Sequence, residues 1–404
     1  MKVAIIGGGA AGFFAAIHAK MNYPNADVTI FEKANKYLAK VKISGGGRCN
    51  VTNGCTNINE LCKAYPRGGR KLKKAFHRFN TSDTMKWFES RGVPLVIQED
   101  NHVFPKSQDS QNIINCLLRA TQKYGIKIKT KHGVKSIESI QNQLKLTFLK
   151  SEIPTQIFDK VIVATGGSPK RKGLEWLEKL GHKIETPVPS LFTFNMPKET
   201  VTKLMGVVVP HVQTNIQGTK LKAEGPLLIT HWGMSGPAIL VLSAFGARIL
   251  SDRNYEFKVQ VNWVNERNNE VVLSELKQVQ QTYSKKILSN IRPYFLPDRL
   301  WQYLVQKGQL NPKQRWGELG KKSLSKIMTL LTNDIYQVKG KTTFKEEFVT
   351  CGGVSLESIN LKTMESKVCK NLYFAGEVMD IDAITGGYNF QAAWTTGFIA
   401  GQLK

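Results

Sequence analysis

Residues 2–12 read KVAIIGGGAAG and residues 27–33 read DVTIFEK, and these two stretches decide the fold. The run 2–6 is apolar and rich in β-branched residues, as a buried strand requires. Glycines follow at once, a small-residue helical pattern runs to about Asn22, and a second β-type run ends on Glu32. Strand, tight turn, helix and strand within about 30 residues make one parallel crossover unit, and so a doubly wound α/β sheet. Gly7, Gly9 and Gly12 form G-x-G-x-x-G, with Glu32 20 residues beyond Gly12. Gly7 permits the turn, Gly9 lets backbone approach a pyrophosphate, and Gly12 lets helix lie close to strand. The helix start offers amides to phosphate, while Glu32 can accept from ribose hydroxyls. A carboxylate there repels a 2'-phosphate, so the site should take FAD or NAD(H) rather than NADP(H).

Working outward, Leu72 to Gly92 reads as two helices, with Ser82 or Asp83 as the cap of the second, and residues 109–124 read as another. IKIKT and KLTFL read as strands, and FDKVIVATGG reads as a buried strand entering a glycine turn. Beyond Pro187 the texture changes to short β-type runs separated by Pro, Gly and Lys, which suits an inserted antiparallel sheet or barrel. Helical pattern resumes at Gly236–Leu250, about Glu266–Arg292 and 319–332. After Glu346 the first texture returns in NLYFAGE and a terminal helix. The expected class is α/β: a doubly wound Rossmann-like domain of 1–188 and 346–404, discontinuous because a mostly β insert with a helical subdomain occupies 189–345.

A chain of 404 residues has room for two or three domains. With 41% apolar and 22% charged residues it is a globular composition, not a fibrous or disordered one. Six cysteines without a CxxC pair are too few for a disulfide scaffold, which points to a reducing cytoplasm and to no metal cluster. The apolar N-terminal run is shorter than a membrane span needs and is interrupted by glycines, so no membrane segment is expected. The charge is unusual: 57 Lys plus Arg against 31 Asp plus Glu gives +26. Such a field attracts nucleic acid, anionic membrane or an anionic substrate, unless it is only a lysine-rich background that keeps the chain soluble.

Three further constellations stand out. KISGGGRCNVTN (42–53) puts glycines beside Arg48, Cys49, Asn50 and Asn53, where backbone can lie against a flat ring or phosphate. Cys49 is a candidate proton donor or redox thiol, or else a small buried hydrophobe. ATGG at 164–167 follows a buried strand, and GEVMDIDAITGGYNFQ fills 376–391, with Glu377, Asp380 and Asp382 as either hydroxyl acceptors or turn carboxylates.

SGGGRCNVTN, FPKSQDS, ATGG, ITHWGMSGPAIL, CGGV and NLYFAGEVMDIDAITGGYNFQAAWTTG, in this order, resemble the BaiN-like NAD(P)/FAD-dependent oxidoreductases over essentially the whole chain. The resemblance implies non-covalent FAD at the end of the doubly wound sheet. It assigns Gly7, Gly9, Gly12 and Glu32 to the ADP half, and Gly46, Gly47, Arg48, Cys49 and Asn50 to the pyrophosphate or flavin. Ala164, Thr165, Gly166 and Gly167 would flank the adenosine, and Gly376 and Glu377 would meet the ribityl-pyrophosphate chain. Gly387, Tyr388 and Asn389 would approach the flavin pyrimidine edge. Ala10, Ala11, Lys33 and Lys42, which flank these positions, complete the expected cofactor set.

No second strand-GxGxxG-helix unit occurs in the insert, so NAD(P)H would visit transiently or another small-molecule reductant would serve. The resemblance further implies reduction of a conjugated carbon–carbon double bond, in a steroid-like enone or in a uridine of ribosomal RNA. Cys49, Tyr388 and His231 are the candidate acids, and His231 could instead tie down its own loop. Between Leu61 and Asn80 lie Lys63, Arg67, Arg70, Lys71, Lys73, Lys74 and Arg78 with no acid, and Tyr65, Phe76 and Phe79 are interspersed. Lys123–Lys135, Lys313–Lys326 and Lys339–Lys345 are further basic clusters. These favour structured RNA as a partner. A small-enone reductase, a non-enzymatic electron-transfer module and an RNA-binding flavoprotein are the alternatives, and the oligomeric state stays open.

Overall fold

The computed structural model describes residues 1–342 and 349–404. The expected domain boundary at 345/346 and the end of the Lys339–Lys345 cluster lie outside these. The chain divides into two units, Met1–Ser190 with Phe344–Lys404, and Leu191–Thr343.

In the first unit β1 (Lys2–Ile6), α1 (Ala10–Asn22) and β2 (Asp27–Phe31) form the crossover unit. β1 and β2 pair in parallel, with Ile5 opposite Ile30. Strands β3 (Lys127–Lys129), β4 (Lys160–Val163) and β5 (Leu372–Phe374) extend the parallel sheet in the order β5-β4-β1-β2-β3. Two short antiparallel strands, Ile359–Asn360 and Glu365–Ser366, close the β5 edge. Only four of the five β1 residues are buried, but they are consecutive rather than alternating, as a strand covered on both faces requires.

Helix α1 is buried almost all round from Ala11 to Ala19, so it is an interior helix rather than an amphipathic one. The last helix, α3 (Tyr388–Ala400), lies against it; between them in sequence, α2 (Gly69–Phe76) carries the middle of the first basic stretch. Glycines make the α1–α3 approach possible. A Cβ on Gly397 would stand 2.9 Å from the Ala11 carbonyl oxygen, and one on Gly401 2.7 Å from that of Ala15.

The two helices expected over 72–92 are Gly69–Phe76 and Thr81–Glu89. The cap of the second is Asn80, whose side chain accepts from Ser82 and Asp83 amides while Asp83 accepts from the Asn80 amide. That reciprocal box satisfies three backbone donors, which explains why the helix starts one residue before Ser82.

Among the described residues the second unit holds a seven-stranded sheet whose strand pairs are all antiparallel. The Asn195 amide reaches the Gly340 carbonyl at 3.1 Å, which draws the two ends of the sheet together into a barrel-like curl. Helix Pro237–Asp252 packs on strands Val208–Ile216 and Lys222–Thr230. The helical subdomain holds Asn269–Thr282, Asp298–Lys307 and Lys321–Thr332, with Trp301 and Trp316 stacked at 6.2 Å. The helix expected to reach Arg292 ends at Thr282, and Asp298–Lys307 was not anticipated. Among the described residues no helix is long and apolar enough to cross a membrane.

His18 of α1 is sealed between rings: Phe14 lies at 4.7 Å and Phe398 at 4.9 Å, with Phe79 and Trp87 behind. Its buried Nε2 has no hydrogen-bond partner among the described residues. Burial, assisted by the nearby Arg91 charge, drives its pKa from 6.5 down to about 3. The folded state therefore binds this proton less readily than the unfolded chain, so the stability it contributes is complete above pH 6.5 and is lost as pH falls toward 3. Through this one residue about 2 kcal/mol should disappear between pH 7 and pH 5. Urea unfolding across that range checks it: His18→Phe should flatten the acid loss, and parallel curves for both proteins would refute the assignment.

Candidate functional site

The C-terminal ends of the parallel strands carry the glycine motifs, where doubly wound sheets bind their ligands. Gly7 has φ +114°, and a Cβ there would fall 2.3 Å from the Ala164 carbonyl oxygen. A Cβ on Gly12 would fall 2.0 Å from the Gly7 carbonyl oxygen, so α1 can only start this close to the turn without a side chain. Gly9 differs: it caps α1 in ordinary extended geometry and has nothing within 4 Å of a Cβ position. The first intrahelical bond runs from the Phe13 amide to Gly9, leaving the amides of Ala10, Ala11 and Gly12 ahead of it. No acid lies in that first turn.

Glu32 at the end of β2 folds back onto the same turn. Its oxygens accept from the Gly8 and Ala34 amides, each at 2.8 Å, which fixes the carboxylate while leaving each oxygen a further lone pair. Lys33 beside it is exposed.

The second glycine segment is held in left-handed backbone at Gly45, Gly46, Gly47 and Cys49. Gly46 and Gly47 again have nothing within 4 Å of a Cβ position. Arg48 folds over the Phe104 ring at 4.1 Å and donates to the Gly45 carbonyl. Lys42 pairs with Asp109 at 3.6 Å, and its carbonyl accepts from Ser110 Oγ. Gly166, φ +73°, is a fourth open glycine beside exposed Thr165.

GGYN meets the 50–53 segment directly. Asn53 donates to the Gly386 carbonyl at 3.0 Å and accepts from the Cys55 amide at 2.9 Å, so one side chain joins both motifs. A Cβ on Gly387 would lie 2.2 Å from the Thr52 carbonyl oxygen and 2.8 Å from Asn50 Oδ1. Asn389 does not reach outward: it donates to and accepts from the backbone of Ala383. Gly376 donates its amide to Thr396 Oγ1, while Glu377 accepts from the Thr350 amide and pairs with Lys40 at 2.9 Å. Thr350 Oγ1, buried and without a hydrogen-bond partner among the described residues, faces Gly167. Beneath α3, Gln391 accepts from both Thr52 and Thr84.

Of the candidate acids, Cys49 is wholly buried, and burial pushes its thiol up to about 12, against the smaller opposing pull of Ser44. Tyr388 is half-buried at the start of α3, its hydroxyl pushed up by burial and then by the neighbouring Cys55. His231 belongs to the second unit, exposed on the turn before strand Gly233–Ser235 and set edge-on to Trp232 at 4.4 Å. Trp232 itself donates to Thr193, so this loop is braced from its tryptophan.

Sequence reasoning passed over Cys55, which is partly exposed beside Tyr388 and fixed by Asn53 at its amide and by Thr81 at its carbonyl. The signal was an asparagine two residues before it, an Asx-turn pattern. It also missed the pairing of Arg67 with buried Asp382, which Ser190 joins at 2.7 Å. Burial raises the Asp382 carboxyl despite Arg67. Among the described residues no group of His, Cys, Asp or Glu could hold a metal ion.

Four glycines open to space, a carboxylate fixed at the second strand and the orphaned Thr350 hydroxyl against the turn after the fourth suit an extended dinucleotide. A family profile described as HI0933-like protein Rossmann domain matches residues 1–403. The chain is 30% identical to the ribosomal RNA dihydrouridine synthase of Haemophilus influenzae, covering 98% of this chain and 96% of the relative. It is 26% identical to the 3-dehydro-bile acid delta(4,6)-reductase of Clostridium scindens, covering 99% and 98%. A flavocytochrome c3 fumarate reductase in its open conformation shares the fold, with TM-score 0.51 and 16% identity over 100% of this chain and 77% of that one. The chain thus belongs to the HI0933-like Rossmann family, a family of FAD-dependent oxidoreductases.

Proposed function

We propose that this protein reduces a uridine of ribosomal RNA to dihydrouridine in the cytoplasm, using non-covalently held FAD. The observation that carries the RNA reading is the outer face of α2. Arg70, Lys71, Lys73 and Lys74 are exposed there and have no ion-pair partner among the described residues. Leu72, Ala75 and Phe76 form the buried side of the same helix, so the aromatics of this stretch are core and the cations alone face solvent. The relatives named as ribosomal RNA dihydrouridine synthases support the same reading, and sparse cysteines suit a reducing compartment.

The Gly7–Gly12 turn and Glu32 would hold the ADP half, and Gly46, Gly47, Gly166 and the start of α3 would face the rest. When bound and reduced, the flavin supplies a hydride equivalent. That hydride and one further proton, two electrons and two hydrogens in all, would saturate the C5–C6 bond of uracil, and a reductant of the NAD(P)H class would restore the hydride. The chain's own task is to position the base and provide the proton. Cys49 is poorly placed for this because its thiol reaches no solvent. Cys55 and Tyr388, partly exposed and adjacent, are the better donors.

Gly9→Val and Gly12→Val should separate cradle from fold. The first adds a side chain into open space and should lose FAD while changing Tm by only about 2–4 °C. The second collides with Gly7 and should fail to fold. Retention of FAD by Gly9→Val would refute the cradle.

Lys71→Gln, Lys73→Gln and Lys74→Gln combined should reduce the slope of log affinity for RNA against log salt by about 2–3, with an unchanged flavin spectrum. Cys55→Ala or Tyr388→Phe should slow uridine reduction at least about tenfold with FAD retained, whereas Cys49→Ala should not. Mass-spectrometric mapping of dihydrouridine in RNA from a deletion strain and its complemented counterpart tests the substrate. An unchanged profile, with reduction of a steroid-like enone instead, would transfer the assignment to the small-molecule reductases.

A further inference from the structure

We infer that the helical subdomain of the second unit carries a separate RNA-binding surface, on which Phe295 stacks an unpaired base. The inference uses the RNA reading above only to choose RNA as the polyanion. Residues 283–326 contain ten Lys or Arg and two acids, Asp298 and Glu318. Segments 284–289 and 312–317 run antiparallel as a small ribbon: the Trp316 amide donates to Lys286, the Leu288 amide to Gln314, and Gly317 to Ser284. Lys285, Lys286, Lys313 and Arg315 stand exposed on it with no ion-pair partner among the described residues. Trp301 and Gln302 donate to the carbonyls of Leu288 and Ser289, fastening helix Asp298–Lys307 to the ribbon.

The turn that joins ribbon to helix is Pro293–Phe295. Pro293 and Leu296 are buried on either side, yet Phe295 is 99% exposed. Tyr294 and Phe295 both occupy left-handed backbone, φ +56° and +53°, which is costly for bulky residues and rare for two in succession. Tyr294 packs partly buried against the core of the second unit, but the 99% exposed Phe295 ring packs on nothing, and a polar residue would be as stable at that position and more soluble. A second local rule is broken nearby, since Lys321 and Lys322 open helix Lys321–Thr332 at the positive end of its dipole with no acid in the first turn. Cations placed against a helix dipole, and an aromatic ring held in water by strained backbone, are both compensated by one class of occupant, a phosphate chain with a base free to stack. A solvated lysine face explains the charge but not the ring.

The test uses the full-length flavin-loaded protein and a fluorescein-labelled RNA hairpin with a uridine loop, titrated at several salt concentrations. Phe295→Ala should weaken binding roughly fivefold or more with the salt slope unchanged, and Phe295→Trp should restore it. Lys285→Gln, Lys286→Gln, Lys313→Gln and Arg315→Gln together should lower the slope by about three. Wild-type affinity in Phe295→Ala, an unchanged slope in the quadruple variant, or preference for phosphatidylglycerol vesicles over the hairpin would each overturn the inference. These variants can fail while the wild type still forms dihydrouridine, which sinks this surface alone. Conversely, the expected binding pattern without any dihydrouridine would support the surface and sink the substrate.

Discussion

Everything in the first unit depends on two helices touching backbone to backbone. α1 can be buried on all sides only because α3 covers it, and α3 comes that near only because residues 397 and 401 carry no side chain toward the Ala11 and Ala15 carbonyls. Gly376 is under the same constraint, since its Cβ would meet that of Ala11 at 2.8 Å. Small residues are usually read as a loss of hydrophobic burial, but dispersion between two close-packed backbones compensates when no void is left. The site inherits its dimensions from this contact. The Gly9 end of α1 and the Gly387 end of α3 are carried by helices that cannot slide independently.

Polar contacts then fix the loops that the helices bring together. Asn53, Gln391 and Glu377 each bind a partner from the far end of the sequence, Gly386, Thr52 and Lys40 respectively. Arg67 and Asp382 do so with charge. A buried ion pair adds little net stability, yet losing one member strands the other in low dielectric, so it specifies the loop arrangement strictly. The Asp382 carboxyl, raised by burial even beside Arg67, registers that tension.

Legibility followed sequence distance. The β1-α1-β2 unit was readable because strand periodicity, glycine spacing and the terminal acid all fall within residues 2–32. Glu32 showed its role for the same reason. Gly46 and Gly47 were readable as loop glycines, but that their Cα faces are open while that of Gly7 is filled by the Ala164 carbonyl is set by chain arriving from elsewhere. Cys49 illustrates the limit: its burial depends on what covers the 44–50 loop, and no local pattern encodes that. The place of Cys55 beside Tyr388 depends on Asn53 holding Gly386, a partner 333 residues away. Helix Asp298–Lys307 was hidden by the prolines that precede it, and Asn80 by two equally good cap residues just after it.

The contact between α1 and α3 also sets a clock for synthesis. At about 5–20 residues per second, a ribosome needs roughly 20–80 s to pass from residue 22 to residue 400. Throughout that time α1, with nine consecutive buried residues in the finished protein, lacks the helix that covers its remaining face, although Phe79 and Trp87, which pack on Phe14 and His18, emerge early. β4 waits as well, since β1 pairs one of its edges early but β5 fills the other only after residue 372. The second unit, contiguous in sequence, can finish folding inside this interval. The nascent chain therefore carries a folded middle and an apolar, unfinished start, which is the state in which a chaperone or a slow ribosome matters most.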